Sequence, residues 1–297
     1  MGRLPRFALE VLLLACGFAI PLWKLFQFAS GSELYSYILL IPLISIYLLW
    51  LKRAEFPPST PPARSLGILF LVAGFILLAA YWLWFRPQLL GVNEDYLMVM
   101  TICFLMFLYG IASLIWGPET LRVAAFPLAF LLLLAPLPPV VTQSLDSFLQ
   151  MGSAFVAGLF FAMSGSPFLQ DGLTFQLSDI KISIAPECSG IHSTIVLFIT
   201  ALICGQVFLK TPWKRAVLAL FVIPLGLLRN GFRVFVIGQL CIHLGPQMIN
   251  SPVHRKGGPL FFVLSLIPLF LFLFILLKSE KPRPDRLKNL PKQPCIN

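Results

Sequence analysis

Polar residues in this chain come as short islands between long apolar runs, and the lengths of those runs are the first constraint on the fold. Runs at about 7–28, 34–51, 65–85, 96–116, 120–141, 188–209, 216–243 and 258–278 are each near or above the ~20 residues that a helix needs to cross a hydrocarbon core. They predict about eight transmembrane helices. The run at 143–164 differs, because Gln143, Ser147, Gln150, Ala154 and Ala157 recur at helical spacing and leave a polar or small stripe. That stripe predicts an interfacial or re-entrant helix. Between Phe168 and Ala185 the period changes to alternation, with β-branched and aromatic residues around Ser178-Asp179, which predicts a small β-hairpin. Backbone groups left unpaired in lipid cost several kcal/mol each, so the hairpin is expected outside the membrane.

The fold class read from this pattern is an all-α polytopic membrane protein with one interfacial or re-entrant helix and a small extracytoplasmic β-hairpin. It divides into N-terminal transmembrane helices (1–142), the interfacial helix (143–164), a membrane core that holds the chemistry (165–278) and a Pro- and Lys-rich tail (279–297) expected to be disordered and cytoplasmic.

Charge orients these spans. Arg3 and Arg6, Lys52, Arg53 and Arg64, Lys210, Lys214 and Arg215, and the basic tail are all expected in the cytoplasm. Five crossings from a cytoplasmic N-terminus end outside near Pro136-Leu137-Pro138-Pro139. If 143–164 then crossed fully, Lys210 to Arg215 and the tail would face outward. A non-crossing helix removes that conflict.

Composition narrows the class further. The chain is 58% hydrophobic with 28 Phe and only 11% charged residues, against about 25% charged in ordinary globular chains. A soluble domain with one anchor is thereby excluded. The net charge of +10 sits in short loops and the tail, a distribution that fits topology and gives no nucleic-acid surface. Six cysteines show no C-x-x-C spacing, so neither structural zinc nor a disulfide scaffold is indicated. Leu13-Leu14-Ala15-Cys16 has the look of a lipoprotein cleavage box, but an uncleaved first span is the preferred reading.

Three membrane-proximal positions carry reactive groups. Cys188 stands in Pro186-Glu187-Cys188-Ser189-Gly190-Ile191 at the start of a predicted span. There the helix N–H groups and dipole lower a thiol pKa toward the nucleophilic thiolate, whereas Cys103 and Cys204 read as apolar helix residues. Arg229 and Arg233 lie four residues apart on one helical face, with Asn230 between them, in a run of Leu, Val, Phe and Ile. A charge at mid-helix costs about 2.5–3.5 kcal/mol on insertion scales. The arginines either snorkel or pair with Glu187 or Asp146, or they steady a thiolate and an oxyanion. His254, in Ser251-Pro252-Val253-His254-Arg255-Lys256-Gly257-Gly258, could protonate a departing amine. Gly258 would let that loop turn into the last span. His192, one turn after Cys188, competes for the proton-transfer role. His243, beside Cys241, could with Cys188 and His254 be imagined as a metal site, but no paired-ligand spacing supports one.

From about Pro136 to Phe262 the order and spacing of these motifs resemble the exosortase/archaeosortase family. The approach Gly172-Leu173-Thr174-Phe175-Gln176-Leu177, Ile180-Lys181-Ile182-Ser183-Ile184 and Ala185-Pro186-Glu187-Cys188-Ser189-Gly190 is part of the likeness. The resemblance implies Cys188 as nucleophile, Arg233 of the N-x-x-R run as catalytic arginine and His254 as catalytic histidine, with Arg229 a lesser candidate and Asn230, Ser189 and Gly258 in support. It implies a bacterial inner-membrane, multi-pass enzyme with its active site on the extracytoplasmic side and no cofactor. Its partners would be membrane lipids, an acyl acceptor and the C-terminal sorting tails of secreted proteins, commonly of the Pro-Glu-Pro kind. The reading from a different class is a non-catalytic transporter or scaffold for polysaccharide export that uses Arg229 and Arg233 to bind an anion. Transport would favour internal repeats with broken helices, and none is evident.

Overall fold

The computed structural model describes residues 3–57, 61–84, 93–177, 180–185, 189–245, 247 and 257–280. Its helices are α1 (Arg3–Gly17), α2 (Ala19–Gly31), α3 (Ile41–Leu51), α4 (Arg64–Trp84), α5 (Glu94–Ile115), α6 (Pro118–Phe130), α7 (Pro139–Met163), α8 (Ile191–Phe208), α9 (Pro212–Leu244) and α10 (Gly258–Lys278). Strands β1 (Phe168–Asp171), β2 (Thr174–Leu177) and β3 (Ile180–Ser183) lie between α7 and α8. Two compact units emerge, one from residues 1–151 and 185–192, the other from 152–184 and 193–297.

Among the described residues six helices, α4, α5 and α7 to α10, are long and apolar enough to cross a membrane, and the pair α1–α2, bent by 75°, makes a seventh if it counts as one span. Eight were expected, and proline explains where the described chain departs. The span predicted at 120–141 stops at α6 and a 3-10 turn, Leu131–Leu134, because Pro136, Pro138 and Pro139 supply no N–H and bias each preceding residue away from helix. The span predicted at 34–51 opens with a 3-10 turn, Ser36–Leu40, ahead of α3 with its Pro42. The first span breaks at Phe18, between Gly17 and Pro21.

In the first unit, α4 and α5 cross closely. A Cβ on Gly67 would lie 3.1 Å from Gly110 O, and one on Gly110 would lie 3.2 Å from Gly67 O, so the two glycines let the backbones meet. Pro127 inside α6 leaves Val123 O without its helical donor, and Lys52 Nζ takes that carbonyl at 3.3 Å. At the other ends of these helices the buried Tyr35 hydroxyl donates to Leu137 O at 3.2 Å and pairs with Thr142 Oγ1 at 3.2 Å.

In the second unit, Leu197, Ala201, Leu209, Leu218, Val222, Leu225, Leu269, Leu273 and Leu276 join α8, α9 and α10 in one apolar core. The α9 and α10 ends exchange caps. Lys214 Nζ donates to Leu276 O at 3.2 Å and Ser279 Oγ at 2.9 Å, while Glu280 Oε1 accepts from the Lys210 and Thr211 amides at 3.0 Å each. Each thereby satisfies backbone groups that a helix end leaves open.

The strands form one antiparallel sheet in the order β1-β2-β3. The expected hairpin is present as β2 paired with β3, and β1 adds a strand, Asp171 facing Thr174 across a tight turn. Gly172 takes φ +57° in that turn, a conformation that costs glycine little. Alternation holds: Phe175 and Leu177 are buried and Gln176 exposed, and the rings of Phe161 and Phe175 lie 5.5 Å apart.

The helix expected at the interface is the longer α7, and its stripe has another meaning. Gln150, Ser153, Ala154 and Ala157 are buried, Gln143 and Ser147 are exposed, and Phe148, Met151, Phe155, Leu159 and Met163 form an exposed apolar face. Over most of its length the small and polar residues pack inward, which gives a helix suited to lipid on one side and protein on the other. The tail expected to be disordered lies outside the described residues apart from Ser279 and Glu280.

Candidate functional site

Helix α9 turns one continuous face inward, with Leu218, Val222, Leu225, Gly226, Arg229, Asn230, Val234, Ile237, Gly238 and Cys241 all buried along it. Arg229 and Asn230 belong to this face. At 8% exposure Arg229 is not a snorkelling side chain, since its Nη2 donates to Thr194 Oγ1 of α8 at 3.2 Å. Asn230 Nδ2 donates to Ser153 Oγ of α7 at 3.0 Å, both groups buried. Arg233, one turn on and half-buried, lies close enough to act electrostatically on Arg229. Arg229 Nη1 and Arg233 Nε are shut off from solvent.

Small residues make this grouping possible. A Cβ on Gly226 would lie 2.9 Å from Thr194 Oγ1, and one on Gly231 would lie 2.6 Å from Val156 Cγ1 and 3.1 Å from Ala157 N. The α7 backbone therefore approaches α9 at Gly231, between the two arginines, and the Thr194 side chain of α8 packs against α9 at Gly226, just before them. The pairing of Gly152 with Leu227, Ser153 with Asn230, Val156 with Gly231 and Phe161 with Gly238 shows that this part of α7 runs parallel to α9. The sheet consequently sits toward the C-terminal end of α9, and the basic residues Lys210, Lys214 and Arg215 mark its other end.

The first unit holds a separate polar arrangement. Ser189 Oγ donates to Asp146 Oδ1 at 2.6 Å and accepts from Ile191 N at 3.3 Å at the start of α8. His192 is half-buried on the first turn of that helix. Gly258 opens α10.

Cys188 and His254 lie outside the described residues, as do Pro186, Glu187, Arg255 and Lys256. Of the residues marked from sequence, Arg229, Asn230 and Arg233 are thus grouped in the second unit, with Ser189 and His192 in the first. Cys241 is buried and His243 exposed, so the two do not share a face. Ser153 and Thr194 were not anticipated. Their signal was the run of small residues on α7 and the hydroxyls early in α8, which only packing distinguishes from ordinary helix residues.

Comparison with curated proteins and with solved structures returns no match. A family model described as transmembrane exosortase matches residues 23–271. That match takes in the arginine-bearing face of α9, the sheet and both polar arrangements within one aligned stretch, and so the chain belongs to the transmembrane exosortase family.

Proposed function

We propose that this protein is a membrane cysteine protease-transpeptidase that cleaves C-terminal sorting tails from exported proteins. One observation carries the reading: the family match runs from residue 23 to residue 271 and so contains Cys188, Arg233 and His254. The inward-facing guanidinium group on α9 supports it, because buried cations in a membrane helix are costly unless they meet developing negative charge or a fixed partner.

In this reading the Cys188 thiolate attacks the carbonyl before the tail, and Arg233 stabilises the oxyanion of the tetrahedral intermediate. His254 protonates the departing amine, the C–N bond breaks and the tail leaves with that proton. The enzyme retains the rest of the substrate as a thioester. Water or an amine then attacks the thioester, the C–S bond breaks and the thiol returns. His192, Arg229, Asn230, Ser189 and Gly258 serve these three residues.

Sidedness follows from charge. With Lys210, Lys214 and Arg215 in the cytoplasm, Arg233 lies 18 residues beyond Arg215, about 27 Å along α9 at 1.5 Å per residue. That depth is the outer part of the bilayer, on the extracytoplasmic side of an inner membrane.

The test uses a secreted reporter that ends in a Pro-Glu-Pro motif, a transmembrane helix and a basic end. Wild type should release the tail. Cys188→Ala should leave it uncut while the enzyme accumulates normally in the membrane, and normal processing by that variant would reject the reading.

A further inference from the structure

Asp146 is a carboxylate on a helix that otherwise presents Phe148, Met151, Phe155 and Leu159 outward, and aspartate in a membrane helix carries an insertion cost that calls for a role. None of the steps above uses it. Its described partner is Ser189, 43 residues away in sequence, whose hydroxyl donates to Asp146 Oδ1 at 2.6 Å. Such a short bond to a carboxylate is charge-assisted and directional.

A hydroxyl has one proton and two lone pairs. Commitment of the Ser189 proton to Asp146 turns a lone pair toward Ile191 N, which donates at 3.3 Å. The Ile191 amide is one of the donors that a helix start leaves open, so the same oxygen caps α8. Between them Gly190 takes φ +77°, which closes the turn tightly, and Ser189 is 1% exposed. Asp146 is itself set in ordered surroundings, one turn after Thr142, whose hydroxyl pairs with Tyr35. Tyr35–Thr142 and Ser189–Asp146 are thus two hydrogen-bonded pairs one turn apart on α7, and Ser189 directly follows Cys188 in the sequence.

We propose that Asp146 is a positioning residue: through Ser189 it locks the turn at the head of α8 and so fixes the presentation of the adjoining thiol. The proposal rests on Cys188 as nucleophile, and it assigns Asp146 no contact with substrate.

Full-length variants in membranes test it with two readouts, reporter-tail cleavage and the rate at which iodoacetamide alkylates Cys188, followed by mass spectrometry of the peptide. Asp146→Ala and Ser189→Ala should each lower cleavage by about a hundredfold, the loss associated with a ~1 Å misplacement, and should slow alkylation. Asp146→Asn keeps an acceptor and Ser189→Thr keeps a hydroxyl, so both should retain most of each activity, a rescue that simple loss of structure would not produce. The double alanine variant should be no worse than Ser189→Ala alone, because loss of the Ser189 oxygen already removes the bond to Asp146. Wild-type cleavage or alkylation in Asp146→Ala would overturn the proposal, as would Asp146→Asn falling as far as Asp146→Ala. Should Asp146→Ala fail to accumulate, Ser189→Ala, which removes a single oxygen, decides by the same criteria. The alkylation readout needs no substrate. Continued cleavage by Cys188→Ala would therefore reject the transpeptidase reading while the positioning of the thiol is still judged on its own.

Discussion

Gly231→Ala adds one methyl group between Asn230 and Arg233, and the structure indicates how far its effect should reach. The new Cβ would meet Val156 Cγ1 at 2.6 Å, Val156 Cβ at 2.7 Å and Ala157 N at 3.1 Å. Carbon atoms rest at about 3.5–4.0 Å, so relief needs roughly 1 Å of movement. Rotating Val156 cannot supply it, because its Cβ and the Ala157 backbone are part of the obstacle; α7 must shift from α9. The same shift would lengthen the 3.0 Å bond from Asn230 to Ser153 beyond hydrogen-bonding range. Overpacking of this kind costs about 1–3 kcal/mol, and a 1 Å displacement near the chemistry costs about a hundredfold in rate. Gly231→Ala should therefore lower the Tm of the purified protein and cut reporter-tail cleavage by about that factor, with the protein still present in the membrane. Gly17→Ala and Gly31→Ala, where nothing lies within 4 Å, should be silent. Val156→Ala removes the nearest obstacle and should restore part of the cleavage lost in Gly231→Ala. Full cleavage and an unchanged Tm in Gly231→Ala would refute the close α7–α9 approach on which the reasoning depends.

Arg233→Lys should be nearly as inactive as Arg233→Ala, because a flexible ammonium cannot reproduce the planar fork of donors; the expected loss in cleavage rate is about a hundredfold to a thousandfold. Reporter fusions after Arg215 should read cytoplasmic and fusions near Pro252 external, and the reverse pattern would invert the proposed sidedness. His254→Ala should abolish tail release while His192→Ala retains most of it, scored at matched expression. Amide donors from Thr211 and Lys210, together with the nearby Lys214 charge, hold the Glu280 carboxyl below the usual carboxylate range. Its stabilising contribution is therefore complete above the ordinary value of about 4.3 and fades as pH falls through the lower folded value. The Tm gap between wild type and Glu280→Gln should accordingly narrow on acidification below pH ~4, as followed by thermal melts in detergent.

Local chemistry was enough to mark α4, α5, α8, α9 and α10, because about twenty predominantly apolar residues have few alternatives to a buried helix, and the single internal prolines Pro224 of α9 and Pro268 of α10 do not end those helices. It also marked the β2–β3 pair, through alternation that the sheet obeys, and the resemblance that places the chain in its family. At 34–51 and 120–141 the described helices are shorter than the apolar runs: Ser36–Leu51 is a 3-10 turn that continues into α3, and α6 ends in the 3-10 turn Leu131–Leu134 ahead of Pro136. The α7 stripe shows a deeper limit. Gln150, Ser153, Ala154 and Ala157 could face water or another helix with the same spacing, and only the backbone approach at Gly231 decided for the helix. Arg229 was equally ambiguous, because a long cationic side chain can reach outward or inward from one helical position, and its bond to Thr194 set the direction. Sequence by itself thus determined which segments must leave water and which residues carry reactive groups, both being properties of neighbouring residues. Tertiary structure decided that Asp146 meets Ser189 and that Asn230 meets Ser153, because bonds between residues 43 and 77 positions apart exist only once separate helices have packed.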